Sequence, residues 1–180
     1  MRKNRLFWIL GLIGILSFTV LPYSAIASEA SIEASFSPNG GGTEAVITLI
    51  TEAKYTIRVA AYSFTSTPIA KALMEAHKRG VDVRVVLDKS NLSAKYSSAT
   101  FLANVGIPVR INSQYAIMHS KYIVIDGSTL ETGSFNYSSA AESKNAENLL
   151  VIRDNQKLAD TYLKNWQKLW DESEPYEARN

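Results

Sequence analysis

His119 and Lys121 stand two residues apart, so on a strand an imidazole and an ammonium share one face. Residues 121–125 and 129–132 flank Asp126-Gly127-Ser128 and read as a β-hairpin around a glycine turn. With Gly127 and Ser128 as the loop, Lys121 faces Ser134 and His119 faces Asn136. With Asp126 and Gly127 as the loop, His119 faces Ser134 instead. Either register brings His119, Lys121, Ser134 and Asn136 to one face. The imidazole can attack phosphorus or move a proton, the ammonium can neutralise oxygens, and the hydroxyl and amide can orient them. That set suits an anionic phosphodiester. Asp126 has the opposite parity and sits at the turn, which suits structure rather than direct chemistry.

The remaining counts narrow the chemistry. There is no cysteine among the 180 residues, which excludes a disulfide scaffold, a thiolate zinc site, an iron–sulfur cluster and a Cys nucleophile. Only two histidines are present. His77 lies in Glu75-Ala76-His77-Lys78-Arg79, where a cationic residue suits the end of an amphipathic helix. Gly40-Gly41-Gly42 reads as a turn, because no Gly-Lys-Ser/Thr follows to make a phosphate cradle. Trp166 and Trp170 have the spacing of core residues on one helix face. Lys95 and Arg110 are single cations that would serve a nucleic-acid backbone only in company.

The elements that must position these groups run in two styles. Residues 31–37 read as a strand, and Thr43 caps a helix with apolar Val46, Ile47, Leu49 and Ile50. A strand over 55–62 leads to a helix beginning near Pro68 and stopping at Gly80. A β-branched strand over 81–87, a helix over 93–104 and a short strand over 108–111 follow. This alternation predicts an α/β fold, an α-β-α sandwich around a mixed, largely parallel sheet. The second half changes to the hairpin, a strand over 147–153 and a closing amphipathic helix over 155–170.

The N-terminus has a separate logic. Arg2, Lys3 and Arg5 precede sixteen uncharged residues, then Pro22 and the small residues Ala25 and Ala27. This is the order of a secretory signal peptide, with cleavage expected after Ala27. Sixteen residues also fall short of the roughly 20 that span a bilayer. The expectation is an exported chain, periplasmic or secreted, with one catalytic domain over 28–180 and no stable membrane anchor. Loss of the three basic residues leaves 16 Lys and Arg against 17 Asp and Glu, so any phosphate recognition must come from a local site.

The pattern His119-x-Lys121-x4-Asp126-x6-Gly133-Ser134-x-Asn136 resembles the HKD motif of the phospholipase D superfamily, complete at every position. Phe36-Ser37-Pro38, Ala61-Tyr62-Ser63-Phe64-Thr65, Lys78-Arg79-Gly80-Val81-Asp82-Val83, Glu131-Thr132-Gly133-Ser134-Phe135-Asn136 and Asn145-Ala146-Glu147-Asn148 are similar to the small bacterial Nuc-type endonucleases of that superfamily. The resemblance implies phosphodiester hydrolysis in two steps without metal or cofactor. One motif histidine forms a phosphohistidine, and a second protonates the leaving oxygen. It implies catalytic roles for His119 and Lys121, with Glu147 orienting the imidazole. Lys121, Ser134 and Asn136 would hold the phosphate, while Asp126 and Gly133 serve structure. With one motif per chain, it further implies a homodimer sharing one active site. The expected substrate is DNA, with RNA left open. The alternatives are a phospholipase D acting on phosphatidyl lipids, or an idle nucleic-acid or membrane-binding module.

Overall fold

Val83, Val85, Val86 and Leu87 are buried on both faces of their strand, which places that strand inside a sheet covered on two sides. In the computed structural model, which describes residues 30–94 and 97–178, it is β3 (Asp82–Asp88). Before it come β1 (Ser31–Ser37), α1 (Gly42–Glu52), β2 (Thr56–Ala61) and α2 (Thr67–Lys78). After it come a 3-10 turn (Lys89–Leu92), α3 (Ala99–Asn104), β4 (Val109–Asn112), β5 (Lys121–Ile125) and β6 (Thr129–Gly133). The chain closes with α4 (Ser139–Ser143), β7 (Glu147–Arg153), α5 (Gln156–Asp171) and β8 (Glu174–Pro175). The expected signal peptide and Lys95 lie outside the described residues.

One eight-stranded sheet runs β1-β7-β6-β5-β2-β3-β4-β8. The α/β sandwich is as expected, but the balance of strand directions is not. Among these strands only β2–β3 and β3–β4 pair in parallel, and the other five pairings are antiparallel. Parallel neighbours need a crossover, which α2 and α3 supply in the first half. The second half connects β5 to β6 by three residues, and so tight a link can only return antiparallel.

Two cores cover the sheet. On one face α1, α2 and α3 bury Val46, Leu49, Ile50, Leu73 and Leu102 against Ile57, Val59 and Val85. On the other, α5 buries Trp166 and Leu169 against Tyr122, Val124 and Ile152. Trp166 is core, as its spacing predicts, and its indole N–H donates to the Val59 carbonyl at 2.9 Å. Trp170 stacks on it at 5.0 Å. Arg58, Arg84 and Arg110, from three adjacent strands, lie over these two indoles. Arg110 also donates to the carbonyls of Trp170 and Ser173, so it clamps the end of α5.

Local chemistry shifts two helix boundaries from their expected places. Thr43 is no cap: Gly41 takes that position with φ 79°, and the Glu142 carboxylate accepts from the amides of Gly41 and Thr43. The helix expected over 93–104 begins only at Ala99. Upstream, Asp88 accepts from the Ser90 amide, and Asn91 donates to the carbonyls of Tyr62 and Asp88. Such side-chain bonds to backbone compete with helix formation.

Candidate active site

The antiparallel pairing of β2 with β5 sets Ala61 opposite Lys121, so the end of β2 meets the start of β5. There β6 ends, at Gly133, beside the start of β7. A Cβ on Gly133 would run into the Asn148 carbonyl, so only glycine lets these two backbones close up. His119, Lys121, Ser134 and Glu147 thereby gather at one end of the central strands. The segment carrying His119 is pinned by the Met118 amide, which donates to the buried Asp88 carboxylate at 2.7 Å.

Lys121 is 6 % exposed. Its ammonium donates to the His119 carbonyl at 2.9 Å and lies 3.2 and 3.3 Å from the two ring nitrogens. Being almost equidistant, it selects neither nitrogen, and the tautomer is left to whatever else meets the ring. The Tyr62 ring lies 4.6 Å from the imidazole, and the ammonium stands 5.4 Å from the Tyr62 centroid. Burial lowers the Lys121 pKa, and the negative charge of Glu147 opposes that shift.

Glu147 accepts from the Ser134 hydroxyl at 2.6 Å and from the Asn145 amide group at 3.0 Å. Among the described residues its hydrogen bonds run to these two and not to His119. The Ser134 oxygen also accepts from the Asn148 backbone and side-chain N–H groups, at 3.0 and 3.3 Å. Ser134 therefore reaches a phosphate only by releasing Glu147. The Asn136 side-chain oxygen is buried without a hydrogen-bond partner, so no bond from it reaches His119 or Lys121.

The hairpin register lies between the two expected ones. Tyr122 faces Thr132 and Ile125 faces Thr129, which by extension sets Lys121 opposite Gly133. Simple alternation thus does not place Ser134 on the Lys121 face. Ser134 joins the site where the chain bends after β6 and bonds to Glu147. Asp126 is at the far end of β5, its carboxylate accepting from the backbone amides of Lys54, Tyr55 and Thr56 at 2.8 Å each. His77 is also remote, since α2 carries the chain from the site edge of β2 to the opposite end of β3.

Sequence reasoning assigns no role to four residues. Tyr62 closes the expected strand over 55–62 and stands in one of the segments that carry the resemblance, with no task of its own. Asp88 and Asn91 act through backbone contacts that no spacing announces. Glu131 is wholly buried, takes a 2.6 Å bond from the Tyr137 hydroxyl and leaves its second oxygen unpartnered. Burial raises its pKa to about 8, an effect larger than the opposing Tyr137 bond. Among the described residues, no group of three or more His, Asp or Glu side chains is placed to hold a metal ion, and no helix is long and apolar enough to cross a membrane.

An imidazole and a buried ammonium lie together at the ends of central strands of this mixed sheet, and comparison with known proteins gives the class, a phosphodiester hydrolase. The chain belongs to the phospholipase D-like family: residues 46–170 match the family described as cardiolipin synthase, PLD-like domain. It is similar to Nuc of Salmonella typhimurium, a phospholipase D family member, at 44% identity and a TM-score of 0.80, over 83% of this chain and 99% of that one. NucT from Helicobacter pylori aligns at 25% identity and a TM-score of 0.75, over 82% of this chain and 100% of that one. The Phospholipase D of Rickettsia conorii is 40% identical over 139 residues, 77% of this chain and 69% of the relative. A mitochondrial cardiolipin hydrolase of Xenopus laevis is 34% identical over 123 residues, 68% of this chain and 58% of the relative.

Proposed function

We propose that this phosphodiesterase is an exported, metal-independent endonuclease that cleaves DNA through a phosphohistidine in a homodimeric active site. The observation that carries the proposal is a single imidazole, His119, paired with a desolvated ammonium at 3.2 Å. The His119 ring nitrogen attacks phosphorus, forming a P–N bond as the P–O bond to the leaving group breaks. The leaving oxygen takes a proton from His119 of the partner subunit. That imidazole then removes a proton from water, whose oxygen displaces the P–N bond and restores both rings. Lys121 neutralises the phosphoryl oxygens throughout. Glu147 favours the charged form of Lys121, while Ser134, once released from Glu147, and the Asn136 amide offer neutral groups to the phosphate.

Nucleic acid is preferred over lipid because the alignment to Nuc and NucT runs the length of those proteins. Hydrolysis of phosphatidyl lipids is the second reading, favoured by the names of the Rickettsia and Xenopus relatives. Phe36, 68 % exposed and paired with Asn148, supports it by presenting an apolar group beside the residue that bonds Ser134. Purified protein is to be given supercoiled plasmid and phosphatidylcholine vesicles side by side in excess EDTA. Nicked plasmid with untouched lipid is expected. Head-group release with intact plasmid establishes the lipid reading, and activity restored only by added metal overturns the metal-free mechanism.

A further inference from the structure

Tyr62 touches both groups on which the proposed chemistry rests, yet the segment that carries it gives it no task of its own. Its ring is 4.6 Å from the His119 ring and tilted by 54°, and the Lys121 ammonium stands 5.4 Å from its centroid. The aromatic face carries the negative end of a quadrupole, and such a face attracts a cation within about 6 Å. The backbone under it is held firmly. Its carbonyl accepts from the side chain of the buried Asn91 at 2.7 Å, and the next carbonyl, of Ser63, accepts from the Tyr137 amide at 3.1 Å.

Lys121 is anchored to the His119 carbonyl at 2.9 Å, and its ammonium is pulled two further ways, by the Tyr62 face and by the charge of Glu147. A lysine stem is long and flexible, and a carboxylate is a stronger magnet than a ring. Drawn fully to Glu147, the ammonium would be neutralised and turned away from a phosphate. Together with the His119 carbonyl bond, the Tyr62 face opposes that pull and keeps the ammonium beside the imidazole, against which the same ring packs. We propose that Tyr62 is a positioning residue: its aromatic face holds the His119 imidazole and the Lys121 ammonium together in the arrangement that receives the phosphoryl group. The inference rests on the functional reading above and adds to it the face that keeps the cation off Glu147.

The test separates the aromatic face from the hydroxyl and from mere packing. Tyr62→Phe keeps the face, Tyr62→Leu keeps an apolar filler, and mono-, di- and trifluorophenylalanine at position 62 weaken the quadrupole with little change of shape. Turnover is to be measured on supercoiled plasmid and on bis(p-nitrophenyl) phosphate, with folding followed by circular dichroism and thermal melting. Tyr62→Phe is expected to keep kcat within about threefold, and Tyr62→Leu to lower it about tenfold with KM within about threefold. Across the fluorinated series kcat falls stepwise with each fluorine, a trend that loss of fold does not produce. The His119 ring-proton signals keep their aromatic ring-current shift in Tyr62→Phe and lose it in Tyr62→Leu. A kcat indifferent to fluorination overturns the inference, as does a Tyr62→Phe variant as slow as Tyr62→Leu or a loss confined to KM. Failure of the functional reading looks different: there, His119→Ala remains active.

Discussion

The two ends of β5 carry residues of one sequence motif, and they are bonded in opposite ways. At the turn, three backbone amides converge on the Asp126 carboxylate and occupy both of its oxygens. At the other end, the Lys121 ammonium is poised between two ring nitrogens, an aromatic face and the charge of Glu147. The Asn136 oxygen, two residues beyond Ser134, is buried with no partner. A saturated polar group holds the fold, because its bonding capacity is spent within the chain. A partly satisfied one, such as the Lys121 ammonium with its three N–H donors, keeps bonding capacity in reserve. Spacing in the sequence cannot tell these apart, whereas the hydrogen bonds do.

The largest effect that sharpens this contrast is expected at the open end. His119→Ala should lower plasmid cleavage at least about 10³-fold, equivalent to about 4 kcal/mol of activation free energy, with an unchanged melting temperature. Activity near that of the unaltered protein would remove His119 from the chemistry.

Glu131 stands between the two extremes, with one oxygen bonded to Tyr137 and the other unpartnered. Its pKa is raised from 4.5 to about 8 in the folded chain. Between those values the folded state holds a proton that the unfolded state has released, so stability falls as pH rises from about 4.5 to 8 and levels off above. The loss is on the order of 5 kcal/mol at most, because a tenfold change in proton affinity is worth about 1.4 kcal/mol. Glu131→Gln keeps an acceptor for the Tyr137 hydroxyl and has no proton to lose. Its urea midpoint should therefore decline less between pH 5 and 8 than that of the unaltered protein, and an equal decline would show that Glu131 is not the group responsible.

Asp126→Ala probes the saturated end. Leaving three amides without their carboxylate should cost about 2 kcal/mol in urea unfolding, since the Lys54 and Tyr55 amides can turn to water. Turnover of the folded fraction should stay within about threefold. A large fall in kcat at unchanged stability would place Asp126 in the chemistry after all. The smallest expected effect concerns the partner subunit. When unaltered chains and His119→Ala chains are refolded together in equal amounts, a site needing both imidazoles leaves about a quarter of the undiluted activity. About half would mean that each chain works alone.

The hairpin around Asp126-Gly127-Ser128, the closing helix with Trp166 and the gathering of His119 and Lys121 follow from short-range pattern, and all three are legible in the chain. The register of that hairpin is not, because Asp126 and Gly127 both adopt positive φ and the loop takes three residues rather than two. Strand directions in the second half escape for a related reason, since the helix–strand alternation of the first half does not continue there. The residues that frame the site are linked across long stretches of chain. Asp88 holds Met118, Asn91 holds Tyr62, and Glu142 caps α1 about a hundred residues away. Only folding brings such pairs together, and no periodicity encodes them. The family resemblance likewise gives Ser134 and Glu147 separate roles, yet their 2.6 Å hydrogen bond makes them one unit.

The covalent step is the central claim, and stereochemistry at phosphorus tests it most directly. A chiral phosphorothioate diester is to be hydrolysed in water enriched in oxygen-18, and the configuration of the product determined. Attack by His119 followed by attack of water comprises two in-line displacements, each inverting, so overall retention is predicted. Overall inversion would mean that water attacks the diester in a single step, and would contradict the phosphohistidine.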